Sequence, residues 1–290
     1  MTITRRPFAA VIIPHFNDHE RLQRCLGALW HAGVPEDIEV MVVDNGSSPA
    51  VVVSGEFPGL RLVVEPLKGA ANARNRGVAE TTAPRLWFLD ADCVPAPDWL
   101  DQARVVCDRA SIVGGEVEVF DESVGRRSGA QGFEALFAFD CQAYVEQMGF
   151  AVTANLLTTR ELFERAGPFI DGVPEDKEWC HRAVQAGANI VYEPRLRVGH
   201  PSRSDWTALQ RKWRRLTQEA WSDQRRKPYG KIRWAVRSAL VMISGIAHLP
   251  RVVSTDKLCV SEKVLTALTL LRLRAVRGLW MIGQITGVRP

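Results

Sequence analysis

Paired cysteines are missing from this chain of 290 residues. Its six cysteines, Cys25, Cys93, Cys107, Cys141, Cys180 and Cys259, show no C-x-x-C spacing and no Cys/His cluster. That pattern argues against a disulfide framework and against a structural zinc, and it suits a reducing cytosol. The chain also lacks a Walker motif and a G-x-G-x-x-G turn, which removes the two commonest phosphate cradles. No signal peptide is expected, because Arg5 and Arg6 precede only the short apolar run Phe8 to Ile13, which polar His15 to Glu20 ends at once. Long hydrophobic runs are absent too. After Arg233 the apolar stretches Ser238–Pro250, Val264–Leu271 and Gly278–Val288 are each cut by Arg or Lys, short of the ~20 residues of a spanning helix. There is no internal repeat and no low-complexity tract.

What is present is an ordinary globular composition, 46% apolar and 24% charged, long enough for one large α/β domain and an appendage. The net charge of +4 hides a division. From Arg195 onward 20 Lys/Arg stand against 5 Asp/Glu, a net +15, and the preceding part has 17 against 28, a net −11. A basic tail meets something anionic. A membrane surface suits it better than nucleic acid, because the tail is also rich in Leu, Val, Ile and Trp. Two helices packed on the catalytic domain, or a homodimer contact, are the other ways to use such a tail.

Short uncharged strands alternate with helical patterns. Ala9–Ile13, Glu39–Val43, Arg61–Glu65 and Leu86–Leu89 read as strands, with helices over Glu20–His31 and Ala70–Glu80. The β-α-β order predicts a mostly parallel sheet covered on both faces. Ile112–Phe120 reads as a further strand, and Asp121–Gly132 as a polar loop, either a surface excursion or a lid. The boundary is expected near residue 205, with a basic amphipathic helical extension over 206–290.

The chemistry concentrates at strand ends, where open α/β sheets expose ligand sites. Leu86 to Leu89 closes on Asp90-Ala91-Asp92, and two carboxylates there supply hard oxygen ligands for Mg²⁺ or Mn²⁺ shared with a phosphate. The second strand ends in Val43-Asp44-Asn45-Gly46-Ser47-Ser48. Its carboxylate can accept from a base N–H, and the same residues also suit a simple Asx turn. The first strand ends in Pro14-His15-Phe16-Asn17, with an aromatic ring able to stack on a base. Lys68-Gly69-Ala70-Ala71-Asn72-Ala73-Arg74-Asn75-Arg76-Gly77 opens a helix with cations suited to phosphate.

These segments, in this order, resemble the inverting glycosyltransferases of family 2, with the GT-A fold. The resemblance covers roughly the first two-thirds of the chain. It implies a nucleotide-diphosphate sugar donor bound through Pro14, Phe16, Asn17, Asp44, Lys68, Arg74, Asp90 and Ala91. In that scheme Asp44 recognises the base, and Phe16 stands where the family usually has a stacking Tyr. Arg74 lies in the Ala-Arg-Asn-x-Gly segment, Asp90 is nearer the ribose, and Asp92 holds the cation. His15 departs from the commoner Thr or Val. Thr153-Ala154-Asn155-Leu156-Leu157 is similar to the family's acceptor-side segment and leads into Val173-Pro174-Glu175-Asp176. The resemblance makes Asp176 the catalytic base, with Glu175 as its alternative. A helix start enriched in acids is the structural alternative. His200, expected in the loop after a final strand, can complete the metal shell in such enzymes. Gln210-Arg211-Lys212-Trp213-Arg214 resembles the Gln-x-x-Arg-Trp signature of processive members with Trp and Arg exchanged, and a basic helix touching diphosphate or membrane is the simpler account.

The implied activity is metal-dependent, inverting transfer to a glycan or lipid-linked acceptor of the bacterial envelope. Its implied place is the cytoplasm or the inner face of the plasma membrane, without nucleic acid as a partner. The competing classes are a sugar-phosphate nucleotidyltransferase and a degenerate transferase serving as a membrane-associated binding module. The first of these normally carries a Gly-rich basic loop where Pro14-His15-Phe16-Asn17 stands. A phosphatase with a nucleophilic Asp fits less well, because Cys93-Val94-Pro95 follows the motif.

Overall fold

The apolar run after Phe8 forms strand β1 (Ala9–His15), solvent-free from Ala9 to Ile13. In the computed structural model, which describes residues 6–52 and 55–287, β1 lies inside an eight-stranded mixed sheet. Arg5 and Val288, named above, lie outside the described residues. The remaining elements of the first part are α1 (His19–His31), β2 (Ile38–Asp44), β3 (Arg61–Val64), α2 (Ala70–Glu80), β4 (Arg85–Leu89), β5 (Val94–Pro95), α3 (Trp99–Val106) and β6 (Ile112–Phe120). Then come α4 (Gly129–Phe137), α5 (Cys141–Glu146), β7 (Asn155–Thr159), α6 (Arg160–Ala166), α7 (Glu175–Gln185) and β8 (Ile190–Pro201). The tail forms α8 (Trp206–Gln224), α9 (Gly230–Ala247), α10 (Leu249–Ser254) and α11 (Val260–Thr286).

The sheet order is β3-β2-β1-β4-β7-β6-β8-β5. The first four are parallel; β7 pairs antiparallel with both β4 and β6, and β5 with β8. The chain runs outward from β1 to β2 and β3, then returns to β4 on the other side of β1. That reversal is a topological switch point, which opens a crevice beyond the carboxyl ends of β1 and β4. The ladder between them stops at Ile12↔Phe88. Pro14, which has no N–H to give, therefore stands past the last β4 pairing.

The chain divides into two compact units, residues 1–118 with 140–200, and residues 119–139 with 201–290. In the first, Ile12, Met41, Val43, Leu86, Phe88 and Leu156 build a core with Phe163, Phe169 and Trp179. Helix α2 lies so close to the sheet that a Cβ on Gly77 would stand 2.4 Å from Ile12 Cγ2 and 3.2 Å from Val43 Cγ2. Gly77→Ala is therefore expected to lower stability by about 1–3 kcal/mol through overpacking. Chemical denaturation measures it, and an unchanged midpoint would refute the close packing.

The second unit differs from the sequence expectation in two places. The polar stretch Asp121–Gly132 is not all loop: Ser128 caps α4, accepting from Gln131 N while the Gln131 side chain accepts from Ser128 N. Its glycines serve contact with a neighbouring helix, since a Cβ on Gly132 would meet Thr266 Oγ1 at 1.9 Å. Residues 119–139 accordingly group with the tail. Phe133, Leu136, Leu209, Val252, Leu270 and Leu273 form its core. Buried Glu134 is bound by Arg203 at 3.0 Å and Lys212 at 2.9 Å. Burial alone would raise its carboxyl, but the two cations hold it below the usual range. Lys212 is thus paired inside this unit, and Trp213 packs edge-on against Phe133. The short apolar run from Ser238 also proves to be part of a longer helical segment. Gly230–Ser254 is long and apolar enough, by length and composition, to cross a membrane, with mean hydropathy 1.3 and 22% of its apolar window buried.

Candidate active site

The carboxyl ends of β1 and β2 are stitched together around Asp44. Residues His15 and Asp44 are register partners. The His15 ring is buried, and its Nε2 accepts from Asp18 N at 3.2 Å. That leaves the ring proton on Nδ1, which faces Asp44 Oδ1 at 3.3 Å. Ser47 Oγ accepts from Asn17 N at 2.9 Å and donates to Asp44 Oδ1 at 2.5 Å. Asn17 takes the left-handed conformation, φ 53°, which Asn tolerates, and its Oδ1 accepts from Ser48 N at 2.8 Å. Asp44 is thereby fixed in orientation at the strand end, 3% exposed.

Phe16, the next residue out, is 48% exposed, and Lys68 Nζ stands 5.1 Å from its ring centroid. The Lys68-Gly69 turn is held by Asn45, whose Nδ2 donates to Glu65 O and Leu67 O and whose Oδ1 accepts from Gly69 N. Gly69 itself has φ 131°, and a Cβ there would meet Asp171 Oδ1 at 2.4 Å, so no L side chain fits.

Arg74 emerges from α2 into the same crevice, nearly buried. Its Nη2 donates to Asp90 Oδ1 at 2.5 Å and its Nη1 to Glu175 Oε1 at 3.1 Å. Its Nε is buried with no hydrogen-bond partner among the described residues. One guanidinium thus joins the Asp-x-Asp segment to the Glu-Asp pair. That pair opens α7 behind Pro174, with Glu175, Asp176 and Glu178 in the first turn, where the helix dipole favours negative charge. Trp179 sets the helix in place: it is fully buried among Phe163 and Phe169, and its Nε1 donates to Gly167 O at 2.9 Å. Asp176 Oδ1 accepts from Lys177 N at 2.7 Å. Desolvation of this half-buried group, reinforced by the neighbouring charge of Glu175, pushes the Asp176 carboxyl up to about 6.

His200 departs from expectation in position. It lies within β8 and not in a loop after it, because Val94↔Gly199 and Pro95↔Val198 pairing carries the strand past Gly199. The same ladder joins β8 to the segment that follows Asp92. His200 Nε2 comes to 3.4 Å from Asp92 Oδ2, while Asp90 is engaged by Arg74. Among the described residues no group of three or more His, Cys, Asp or Glu is placed to hold a metal ion. The Asp92 carboxylate is a ligand type for either Mn²⁺ or Mg²⁺, with a diphosphate supplying further oxygens, and the imidazole nitrogen beside it favours Mn²⁺ over the oxygen-seeking Mg²⁺. Ala91, between the two acids, is buried and leaves no bulk there.

The structure sets Lys68 over the Phe16 ring, past the strand ends at His15 and Asp44. It joins Arg74, Asp90 and Glu175 directly, and pairs Asp92 with His200. Asn45 and Ser47 went unassigned in the sequence although both stand in the Asp-Asn-Gly-Ser-Ser run. Asn75 is a further case, its amide donating to Phe169 O and accepting from Phe169 N at 2.9 Å each.

The eight-stranded mixed sheet with its flanking helices is of the GT-A type. The sequence profile of glycosyl transferase family 2 matches residues 10–169, and the chain belongs to that family. It is 30% identical over 219 residues to glycosyltransferase AglE of Haloferax volcanii, covering 72% of this chain and 71% of AglE. It is 29% identical over 220 residues to the pre-mycofactocin glycosyltransferase of Mycobacterium tuberculosis, covering 68% of this chain and 44% of that one. Among solved structures, S. aureus TarS 1–349 in complex with UDP-GlcNAc superposes with a TM-score of 0.52 at 14% identity, over 73% of this chain and 66% of that chain. GalNAc-T7 with UDP, GalNAc and Mn²⁺ gives 0.50 at 17% identity, over 70% and 45%. The fold is shared with both.

Proposed function

We propose that this glycosyltransferase moves a sugar from a nucleotide-diphosphate donor to a hydroxyl acceptor in one inverting displacement. The observation that carries it is the Arg74 bridge, which sets the acids of the donor-side motif and the Glu-Asp pair within one side chain's reach. Phe16 stacks on the base, Asp44 accepts from a base N–H, and Lys68 and Arg74 face the phosphates. A buried guanidinium Nε without a partner supports an anionic ligand at Arg74. Asp176 takes the acceptor proton as the oxygen attacks the anomeric carbon and the nucleoside diphosphate leaves. Glu175, held by Arg74, orients that helix start. Asp92 and His200 would hold Mn²⁺ or Mg²⁺, and the ion, when bound, offsets charge developing on the departing diphosphate.

UDP is the first donor to try, since TarS 1–349 was solved with UDP-GlcNAc and GalNAc-T7 with UDP and Mn²⁺. The basic, apolar tail supports a place at the anionic inner face of the plasma membrane, with a lipid-linked or envelope glycan as acceptor. A thermal-shift screen of UDP-, GDP- and dTDP-sugars with and without Mn²⁺ tests the donor. The cognate donor is expected to stabilise by about 2.7 kcal/mol at roughly 100 times its Kd. If none raises the melting temperature, the donor assignment is wrong.

A further inference from the structure

Two rows of exposed apolar residues stand on helices of the second unit. On α9 the exposed residues Ile232, Val236, Leu240, Ile243 and Ile246 recur at three- and four-residue spacing, so they share one helix face. On α11, Val264, Leu268 and Leu271 do the same, and Leu279, eight residues further on, stands about 80° around the helix from Leu271. The opposite side of α9 carries Trp234 and Ser238, which tie the two helices together: Trp234 Nε1 donates to Gln284 Oε1 at 3.0 Å and Ser238 Oγ to Gly278 O at 2.9 Å. Within this unit α4 and α8 pack on α11, and α8 on α9. Both exposed rows therefore face away from the unit's own core.

Charge decides what covers that face. From Arg225 to Thr255 the chain has seven Lys/Arg and not one Asp or Glu. Arg233 and Arg237 each follow an exposed apolar residue by one position, which sets them about 100° around the helix as a cationic border to the row. A second copy of the chain would bring two such borders together and be repelled. An anionic lipid surface meets both the apolar row and its rim.

We infer that α9 and α11 dock as a flat hairpin in the interface of an anionic bilayer, with Ile243 and Leu268 inserted and Lys231, Arg233 and Arg237 at the headgroups. A crossing by Gly230–Ser254 would have to part α9 from α11, breaking the Trp234 and Ser238 bonds. The inference deepens the membrane location proposed above and rests on it; it does not depend on the transfer chemistry.

The experiment is co-sedimentation of the full-length protein with vesicles of mixed phosphatidylglycerol and phosphatidylcholine, against vesicles of phosphatidylcholine alone. Binding is expected to the anionic vesicles, to weaken at high salt without vanishing, and to be released by alkaline carbonate. Ile243→Glu with Leu268→Glu is expected to lower the affinity about tenfold or more, since both residues are solvent-exposed and their loss leaves the core untouched. Lys231→Gln with Arg233→Gln should weaken binding and flatten its salt dependence. The thermal shift with UDP and Mn²⁺ is read on every variant: retained, it shows that a failure belongs to the membrane inference and not to the fold or the donor site. No binding to anionic vesicles at low salt overturns the inference, as does binding unchanged by the double Glu variant. Retention after alkaline carbonate overturns it in favour of a crossing helix. A wild-type dimer dissociated by the Glu variant, without vesicle binding, overturns it in favour of self-association.

Discussion

Asp176→Asn is expected to lower the transfer rate by about 10²–10⁴-fold, the usual contribution of a positioned general base, with donor affinity nearly unchanged. The proton comes from the acceptor, so the donor's thermal shift should survive. Glu175→Gln should cost less, because Arg74 already occupies that carboxylate at 3.1 Å. The pH profile gives a second readout. A base acts ionised, and burial with the charge of Glu175 holds Asp176 up at about 6, so kcat/KM should rise with pH through about 6 and level above it. Stability runs the other way. A carboxyl raised above its unfolded value, ~3.9, favours folding while protonated and loses that contribution as pH rises through the folded value. Asp176→Asn should then melt higher than wild type at neutral pH, with the gap closing toward acid. Donor affinity falling in step with the rate would make Asp176 a positioning residue, and a flat profile between pH 5 and 7 would remove it as the base.

The strands that carry the site were legible because parallel strands buried on both faces read as uninterrupted apolar runs. Leu86–Leu89 and Ala9–Ile13 have no other plausible home in a folded chain. Helix α2 has the bounds Ala70–Glu80 that its sequence pattern predicts. What stayed hidden depends on contacts far apart in sequence. Helix α4 was obscured by Gly129 and Gly132, whose missing side chains make room for Thr269 and Thr266. The place of His200 rests on a two-residue ladder with Val94–Pro95, too short to show any alternation. The Arg74 bridge to Glu175 spans 101 residues, and no local pattern announces it. The roles of single acids came from motif resemblance; their pairing came from the fold.

Asp92→Asn is expected to reduce turnover by about a thousandfold, since a cation clamping a leaving phosphate supplies several kcal/mol and each 1.36 kcal/mol is tenfold in rate. The geometry singles out Asp92 over Asp90. Asp90 Oδ1 is bound by Arg74 at 2.5 Å, and its loss would strip a nearly buried guanidinium of a partner. Asp90→Asn should therefore damage folding stability as well as rate. Asp92 stands 3.4 Å from His200 Nε2, just before the β5–β8 ladder, and Asn keeps the size and shape of its side chain. Its Asn variant should melt close to wild type. The direct measurement is the thermal shift produced by UDP with and without Mn²⁺. Wild type should gain additional stabilisation from the ion, Asp92→Asn should lose that increment while keeping the shift from UDP alone, and His200→Ala should lose part of it. Full turnover in excess EDTA, or an Asp92→Asn variant as responsive to Mn²⁺ as wild type, would remove the ion from this crevice. Leaving-group stabilisation would then fall to Arg74 and Lys68, the cations proposed above to face the phosphates.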